Sequence, residues 1–304
     1  MDNEPSDAEE RSVSPLFALI PAQVLFGSLP VIGKVVLAVI PPFALVGIRV
    51  AITAAILFVI QLFRRRIWLK EKGDYWRFAL LSLFGVVLNQ LLFISGLSLT
   101  KASNTSLLAV LIPVFALTVG ALAGLEKLTW KKVAGIVCAA VGVVLLIDPR
   151  KASFSSQTTI GDLMIIFNCL AYGIYVATSQ KVIVRNGTFR SIMWVFIFAS
   201  VICVPLGAFS LSGVDTAAVS TDIWLIAIYI GIGATAAPYL LNAWALSKVN
   251  PSTVAVFVYL QPLIGFLLAV IFLGETVDAM FAVSAALIFA GVYLVTRKFV
   301  PAET

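Results

Sequence analysis

A chain of 304 residues that is 61% hydrophobic, 12% charged and free of histidine cannot dress itself in a soluble surface, because soluble domains carry about 25% charge. That excludes a soluble enzyme, a disordered protein and a nucleic-acid binder. The net charge of +6 and pI near 9.3 would have to sit on one wetted face to hold nucleic acid, and most of the chain has no such face. The missing histidine also removes the commonest general base and metal ligand. Cys138, Cys169 and Cys203 stand alone in apolar runs, without CxxC spacing, and read as small buried hydrophobes.

The first 14 residues carry five acids and one arginine, which is not a positive secretory leader but an uncleaved, disordered cytoplasmic tail. Ten apolar runs follow, roughly at 16–39, 43–63, 78–98, 102–124, 133–147, 160–179, 191–211, 223–245, 252–273 and 279–296. About 20 apolar residues cross a bilayer core. The runs are continuous rather than alternating, so the expected fold is an all-α membrane bundle of ten transmembrane helices and not a barrel. Residues 297–304 form a second short tail. If the N-terminus is cytoplasmic, 16 of the 21 Lys and Arg fall on the inner side, only Lys34, Lys101, Arg150 and Lys151 fall outside, and Arg49 lies within the second helix. By the positive-inside bias both termini are then cytoplasmic.

Sliding the chain on itself by 149 residues aligns GLSLTKASNTSLLAVLIPVF from 96 with ALSKVNPSTVAVFVYLQPLI from 245. Pro113 falls on Pro262 and Glu126 on Glu275 without a gap. Five helices per half make the second half, 160–296, enter the membrane in the opposite sense to the first, 15–148. Such inverted repeats are a frame for alternating access. Each proline lies mid-helix, where it removes one hydrogen bond and frees the carbonyl of Ala109 or Val258 near the midplane. Interrupted helices at matching places point to a transport site, although each could also be a packing kink.

On these features the chain resembles the drug/metabolite transporter superfamily, of the ten-helix EamA type, over residues 16–296. The resemblance rests on the repeat, on the prolines of helices four and nine, and on the turns Gly124-Leu125-Glu126 and Leu273-Gly274-Glu275. It extends to the pairs Phe26-Gly27 and Tyr172-Gly173 and to Arg49 in GIRVA, which helix seven does not duplicate. The resemblance implies export of amino acids or other small metabolites through a cavity formed by helices 1, 3, 4, 6, 8 and 9.

All fifteen acids lie in tails, loops or helix ends, Asp162 being the nearest to a span interior. A proton pump wants an acid or histidine relay in the bundle, so a facilitator or exchanger is expected, or coupling by a route the sequence hides. Arg49 has two readings: it meets a substrate carboxylate or phosphate, or it ties helix ends together, and its closeness to the interface favours the tie. Lys34 is expected to snorkel. Glu126 and Glu275 are expected to cap adjacent helix starts. Gly120/Gly124 and Gly135/Ala139 are spaced for close helix packing and leave a homodimer open.

The neutral polar groups point more firmly inward. Gln23, Asn89, Gln90, Asn168, Tyr172, Tyr175, Tyr239, Asn242, Tyr259 and Gln261 all interrupt apolar runs. An amide in hydrocarbon is costly unless satisfied, so they face the interior. About half serve interhelical hydrogen bonds. The rest line a cavity for a neutral or zwitterionic solute, its apolar part laid against Tyr, Trp244 and Phe. The resulting expectation is a non-enzymatic secondary transporter of a small-molecule substrate, without cofactor or metal, multi-pass in the cell membrane (the inner membrane in a bacterium). Its substrate site is expected to hold these amides and tyrosines except Tyr175, together with Arg49, and Pro113 and Pro262 are the kinks beside it. The alternative is a broad-specificity exporter of drug-like or toxic compounds. A channel and a membrane enzyme acting on lipid intermediates are weaker readings, the last because no loop offers a clustered nucleophile, metal set or carboxylate pair.

Overall fold

The computed structural model describes residues 15–147, 158–264, 267 and 279–296. Glu275 and its turn, both tails, Arg150 and Lys151 lie outside the described residues. Ten helices are seen among the described residues. In the first half they are α1 (Pro15–Leu37), α2 (Pro42–Phe63), α3 (Gly73–Leu99), α4 in two pieces (Ala102–Leu108 and Leu111–Leu122) and α5 (Trp130–Ile147). The second half supplies α6 (Thr159–Asn186), α7 (Thr188–Leu211), α8 (Thr221–Leu246), α9 (Pro251–Ile264) and α10 (Ala279–Thr296). Eight are long and apolar enough to cross a membrane by length and composition. Their outer faces are hydrocarbon-like, with Phe17, Phe63, Val201 and Phe209 all largely exposed. In lipid such a surface carries no penalty, and helices satisfy their own backbone.

The helices pair across the two halves. α2 lies along α7 and α5 along α10, while α6 packs on both α3 and α4, and α1 packs on α8. Small residues set the closest approaches. A Cβ on Gly47 would stand 2.8 Å from the Gly207 Cα, so α2 and α7 touch backbone to backbone. Gly135 of α5 meets the Gly291 carbonyl of α10, and Gly291 in turn meets Ala139. The Gly135/Ala139 spacing is thus used inside one chain. Residues one repeat apart also meet: Tyr259 Oη donates to the Val110 carbonyl at 3.0 Å, and the Cys138 thiol lies 3.5 Å from the Leu287 carbonyl. Both pairs are separated by 149 positions.

Three helices depart from regular α geometry. Four residues before Pro113, α4 breaks at Ala109–Val110, and the Ala109 carbonyl accepts from Ile112 N at 3.0 Å in a tighter turn. Four residues before Pro262, α9 narrows to a 3₁₀ turn over Phe257–Tyr259. π turns interrupt α3 at Leu83–Leu88 and α8 at Ile232–Ala236, beginning 149 positions apart. No proline marks them, and the sequence reading does not anticipate them.

The ends of the bundle are closed by polar contacts that partly differ from expectation. Gly124, at φ +64°, ends α4 in a left-handed residue, and the Leu125 and Glu126 amides return to the Gly120 carbonyl. That turn aims Glu126 across the halves. Its carboxylate pairs with Lys132 and takes both the Ser252 hydroxyl and, at 3.1 Å, the Ser252 amide. Glu126 therefore caps α9 rather than the adjacent α5, because the left-handed turn points it at the free amides of the other half. Lys34, partly exposed, donates from Nζ to the Thr100 carbonyl at the end of α3 at 2.8 Å. Thr100 Oγ1 and Asn104 Nδ2 donate to Asp162 Oδ1 at 2.6 and 3.0 Å.

Candidate functional site

Between α1, α2, α3, α4, α6, α8 and α9 lies a cavity of about 80 Å³. Its lining includes Arg49, Asn89, Gln90, Asn168, Tyr172, Tyr239 and Gln261, with Phe26, Leu29, Phe93, Thr105, Ala109, Ile112, Ile165 and Val258 completing the wall. Pockets that hold drug-sized ligands span roughly 300–1,000 Å³, so this cavity has room for a small solute only.

The polar wall is a set of linked hydrogen bonds. Asn89 Nδ2 donates to Asn168 Oδ1 at 2.6 Å, joining α3 to α6. Tyr239 Oη donates to the Gly85 carbonyl at 2.7 Å and stands 3.0 Å from Asn89 Oδ1. Gly85 lies in the α3 π turn, whose altered register leaves a carbonyl for a side chain to satisfy. Phe26 and Phe196 meet the Tyr239 ring edge-on at 5.7 and 5.0 Å, and Tyr172 lies 6.4 Å away. Such aromatic packing fixes the hydroxyl's direction.

A second relay runs behind the wall. Gln261 Nε2 donates to Gln23 Oε1 at 2.7 Å, Gln23 Nε2 to Asn242 Oδ1 at 3.4 Å, and Asn242 Nδ2 to Tyr172 Oη at 3.1 Å. α9, α1, α8 and α6 are tied in that order. Gln23 and Asn242 thus support the lining without forming it. Tyr259 also lies off the cavity, its hydroxyl spent on the Val110 carbonyl at the α4 break. Trp244 is not in the wall either; Phe26 and Phe93 supply the aromatic surface instead.

Arg49 is 2% exposed. Its Nε donates to Thr235 Oγ1 at 2.9 Å and its Nη2 to the Ala234 carbonyl at 3.4 Å. The tie is to the middle of α8, in the second π turn, and not to helix ends as expected. Thr53 of α2 reinforces it through the Gly231 carbonyl at 3.0 Å. Arg49 Nη1 and both amide atoms of Gln90 are buried without a hydrogen-bond partner. No carboxylate pairs with Arg49 among the described residues, and no group of metal-ligating side chains occurs among them.

The profile of the EamA-like transporter family matches residues 13–148 and again residues 159–297. The chain belongs to the EamA-like transporter family. It is therefore a multi-pass membrane transporter and not an enzyme. It is similar to an uncharacterized transporter of Archaeoglobus fulgidus, 27% identical over 267 residues that cover 87% of this chain and 91% of that one. It is also similar to a protein of Streptantibioticus cattleyicolor named a "probable terminal-alkyne amino-acid exporter", at 24% identity over 65% of each chain. A crystal structure at 21% identity superposes with a TM-score of 0.73, covering 93% of this chain and 96% of the other, which shows the shared fold.

Among the lining residues, sequence reasoning passed over Leu29, Phe93, Thr105, Ile112 and Ile165. The aliphatic members carry no signal that separates them from lipid-facing neighbours, whereas Thr105 and Ala109 flank the break that Pro113 announces.

Proposed function

We propose that this transporter exports small amino-acid-like metabolites by alternating access, with the substrate held in the α1/α3/α4/α6/α8/α9 cavity. One observation carries the reading: a buried guanidinium with an unpaired Nη1 and a buried amide with neither atom bonded line the same aromatic-walled cavity. Unpaired buried polar groups cost free energy that a ligand can recover. A carboxylate accepts from Arg49 Nη1 and Gln90 Nε2, an ammonium donates to Gln90 Oε1, Asn89, Asn168 and Tyr239 bond the remaining polar atoms, and Phe26 and Phe93 take the side chain. The name of the Streptantibioticus relative supports the same substrate class. A broad exporter of cationic drugs is less well served, since Arg49 repels a cation in a low-dielectric site.

The two halves act as inverted repeats that rock about this site. The twice-matched family profile, the matched π turns and the contacts between residues 149 positions apart support that arrangement. The N-terminus is cytoplasmic: thirteen described Lys and Arg lie at the end of the bundle holding the α2–α3, α4–α5, α6–α7 and α8–α9 turns, against Lys34 and Lys101 at the other. The described cavity lining contains no acid or histidine, so the transport mode is facilitation or exchange. Stoichiometric proton movement with substrate in proteoliposomes would contradict that mode.

A metabolite-export screen in cells overproducing the protein tests the proposal, with Asn168→Ala and Tyr239→Ala alongside. Amino-acid efflux should rise with the wild type and fall at least about tenfold in both variants, the loss of about 1.4 kcal/mol expected when one buried hydrogen bond goes. If neither variant alters any flux the wild type supports, the cavity is not the site.

A further inference from the structure

A second concavity, about 640 Å³, opens on the outer wall between α3 and α6. Its lining is divided by depth. Arg77, Lys181 and Arg185 lie near the helix ends, and Leu80, Phe84 and Ile174 lie farther along the same two helices. Seven residues separate Arg77 from Phe84, about 10 Å along the axis at 1.5 Å per residue. No carboxylate is among its lining residues.

Two further features fix this groove at the membrane surface. Trp76, beside Arg77, is 68% exposed, and Trp68 in the preceding loop is 73% exposed, as tryptophans of the interfacial belt are. Arg185 is held in place from behind: its Nη2 pairs with the fully buried carboxylate of Asp74, and its Nη1 reaches Glu71 at 2.7 Å. Arg77 takes Asp74 Oδ1 at 3.1 Å. Lys181 is exposed.

We propose that this groove binds an acidic phospholipid, its phosphate between Arg77, Lys181 and Arg185 and the start of an acyl chain along Leu80, Phe84 and Ile174. Charge and depth together select that occupant. Three cations set against the two carboxylates behind Arg77 and Arg185 leave a net positive cluster at headgroup level that complements a phosphodiester, and the apolar lobe one to two turns deeper lies where hydrocarbon begins. Basic pockets between helices on the cytoplasmic side hold anionic headgroups in this way. The leaflet rests on the topology proposed above, but the site itself does not. The bound lipid spans α3 and α6, the helices that Asn89 and Asn168 join inside, so lipid composition bears on the same helix pair as the cavity.

Native mass spectrometry of the full-length protein, exchanged from nanodiscs of phosphatidylcholine with rising phosphatidylglycerol, reads the site directly. Wild type should retain phosphatidylglycerol over phosphatidylcholine. A basic residue near the surface is worth roughly fivefold; Lys181→Ala should therefore lose about that much retention and Arg77→Ala/Lys181→Ala about twenty-fivefold. Millimolar inorganic phosphate should not displace the lipid, because it lacks the acyl contact. Lys127→Ala removes a cation from the same end of the bundle but away from the groove, and should change nothing. Equal retention of the two lipids by wild type, no loss in Lys181→Ala, displacement by phosphate, or an equal loss in Lys127→Ala would each overturn the proposal. Should the double variant fail to fold, the exposed Lys181→Ala decides alone. Amino-acid transport enters none of these readouts, so failure here leaves the proposed function standing, and the converse holds.

Discussion

The two ends of the bundle are both closed by buried carboxylates that cross between the halves, yet they are built differently. At one end Asp162, 6% exposed, takes neutral donors among the described residues, from Thr100 and Asn104, with Lys34 tied nearby to the Thr100 carbonyl. At the other, Glu126 combines an ion pair to Lys132 with the hydroxyl and amide of Ser252. There Gln180 also bonds the Leu246 and Val249 carbonyls at 2.9 and 2.8 Å. Bonds to a carboxylate are charge-assisted at both ends, but at the Glu126 end the loss of one partner of a buried ion pair strands the other charge. Among the described contacts the Glu126 end is thus the firmer closure, and in the proposed rocking the Asp162 end is expected to yield first.

Substitutions can break this ordering. The largest effect is expected for Glu126→Ala, which strands Lys132 and uncaps α9; a loss of about 3 kcal/mol should appear as the greatest fall in unfolding temperature of purified protein. Asp162→Ala should cost less, about 2 kcal/mol, for two hydrogen bonds to a carboxylate whose donors are neutral. If it matches or exceeds Glu126→Ala, the ends are not ordered as described. Gln180→Ala removes two amide–carbonyl bonds and is expected to cost about 1.5 kcal/mol. Lys34→Met keeps the stem and loses one bond, about 1 kcal/mol, and should raise maleimide labelling of a cysteine placed at position 101 more than Gln180→Ala does.

What the sequence makes legible follows from the membrane itself. Ten helices are readable because spanning segments must be long and apolar, and the α4 break is readable because Pro113 has no amide to donate. Asn89, Asn168 and Tyr239 are readable because polar groups in hydrocarbon must turn inward. The partners are not. Arg49 bonds Ala234 because a π turn presents that carbonyl, and no residue type announces a π turn. Glu126 caps α9 instead of α5 because Gly124 turns the chain across the halves, a long-range placement that local spacing does not encode. Gln23, Asn242 and Tyr259 share the composition of lining residues, and only three-dimensional packing separates the supports from the wall.

The central claim is that the cavity around Arg49 and Gln90 carries amino-acid-like substrates across the membrane. Counterflow in proteoliposomes tests it most directly: vesicles preloaded with an unlabelled neutral amino acid and diluted into a trace of the labelled form. Wild type should accumulate label transiently above equilibrium, and Arg49→Gln, which keeps donors but loses the charge, should abolish that overshoot. Overshoot unchanged in Arg49→Gln, or none with any amino acid while a cationic dye is carried, would contradict it.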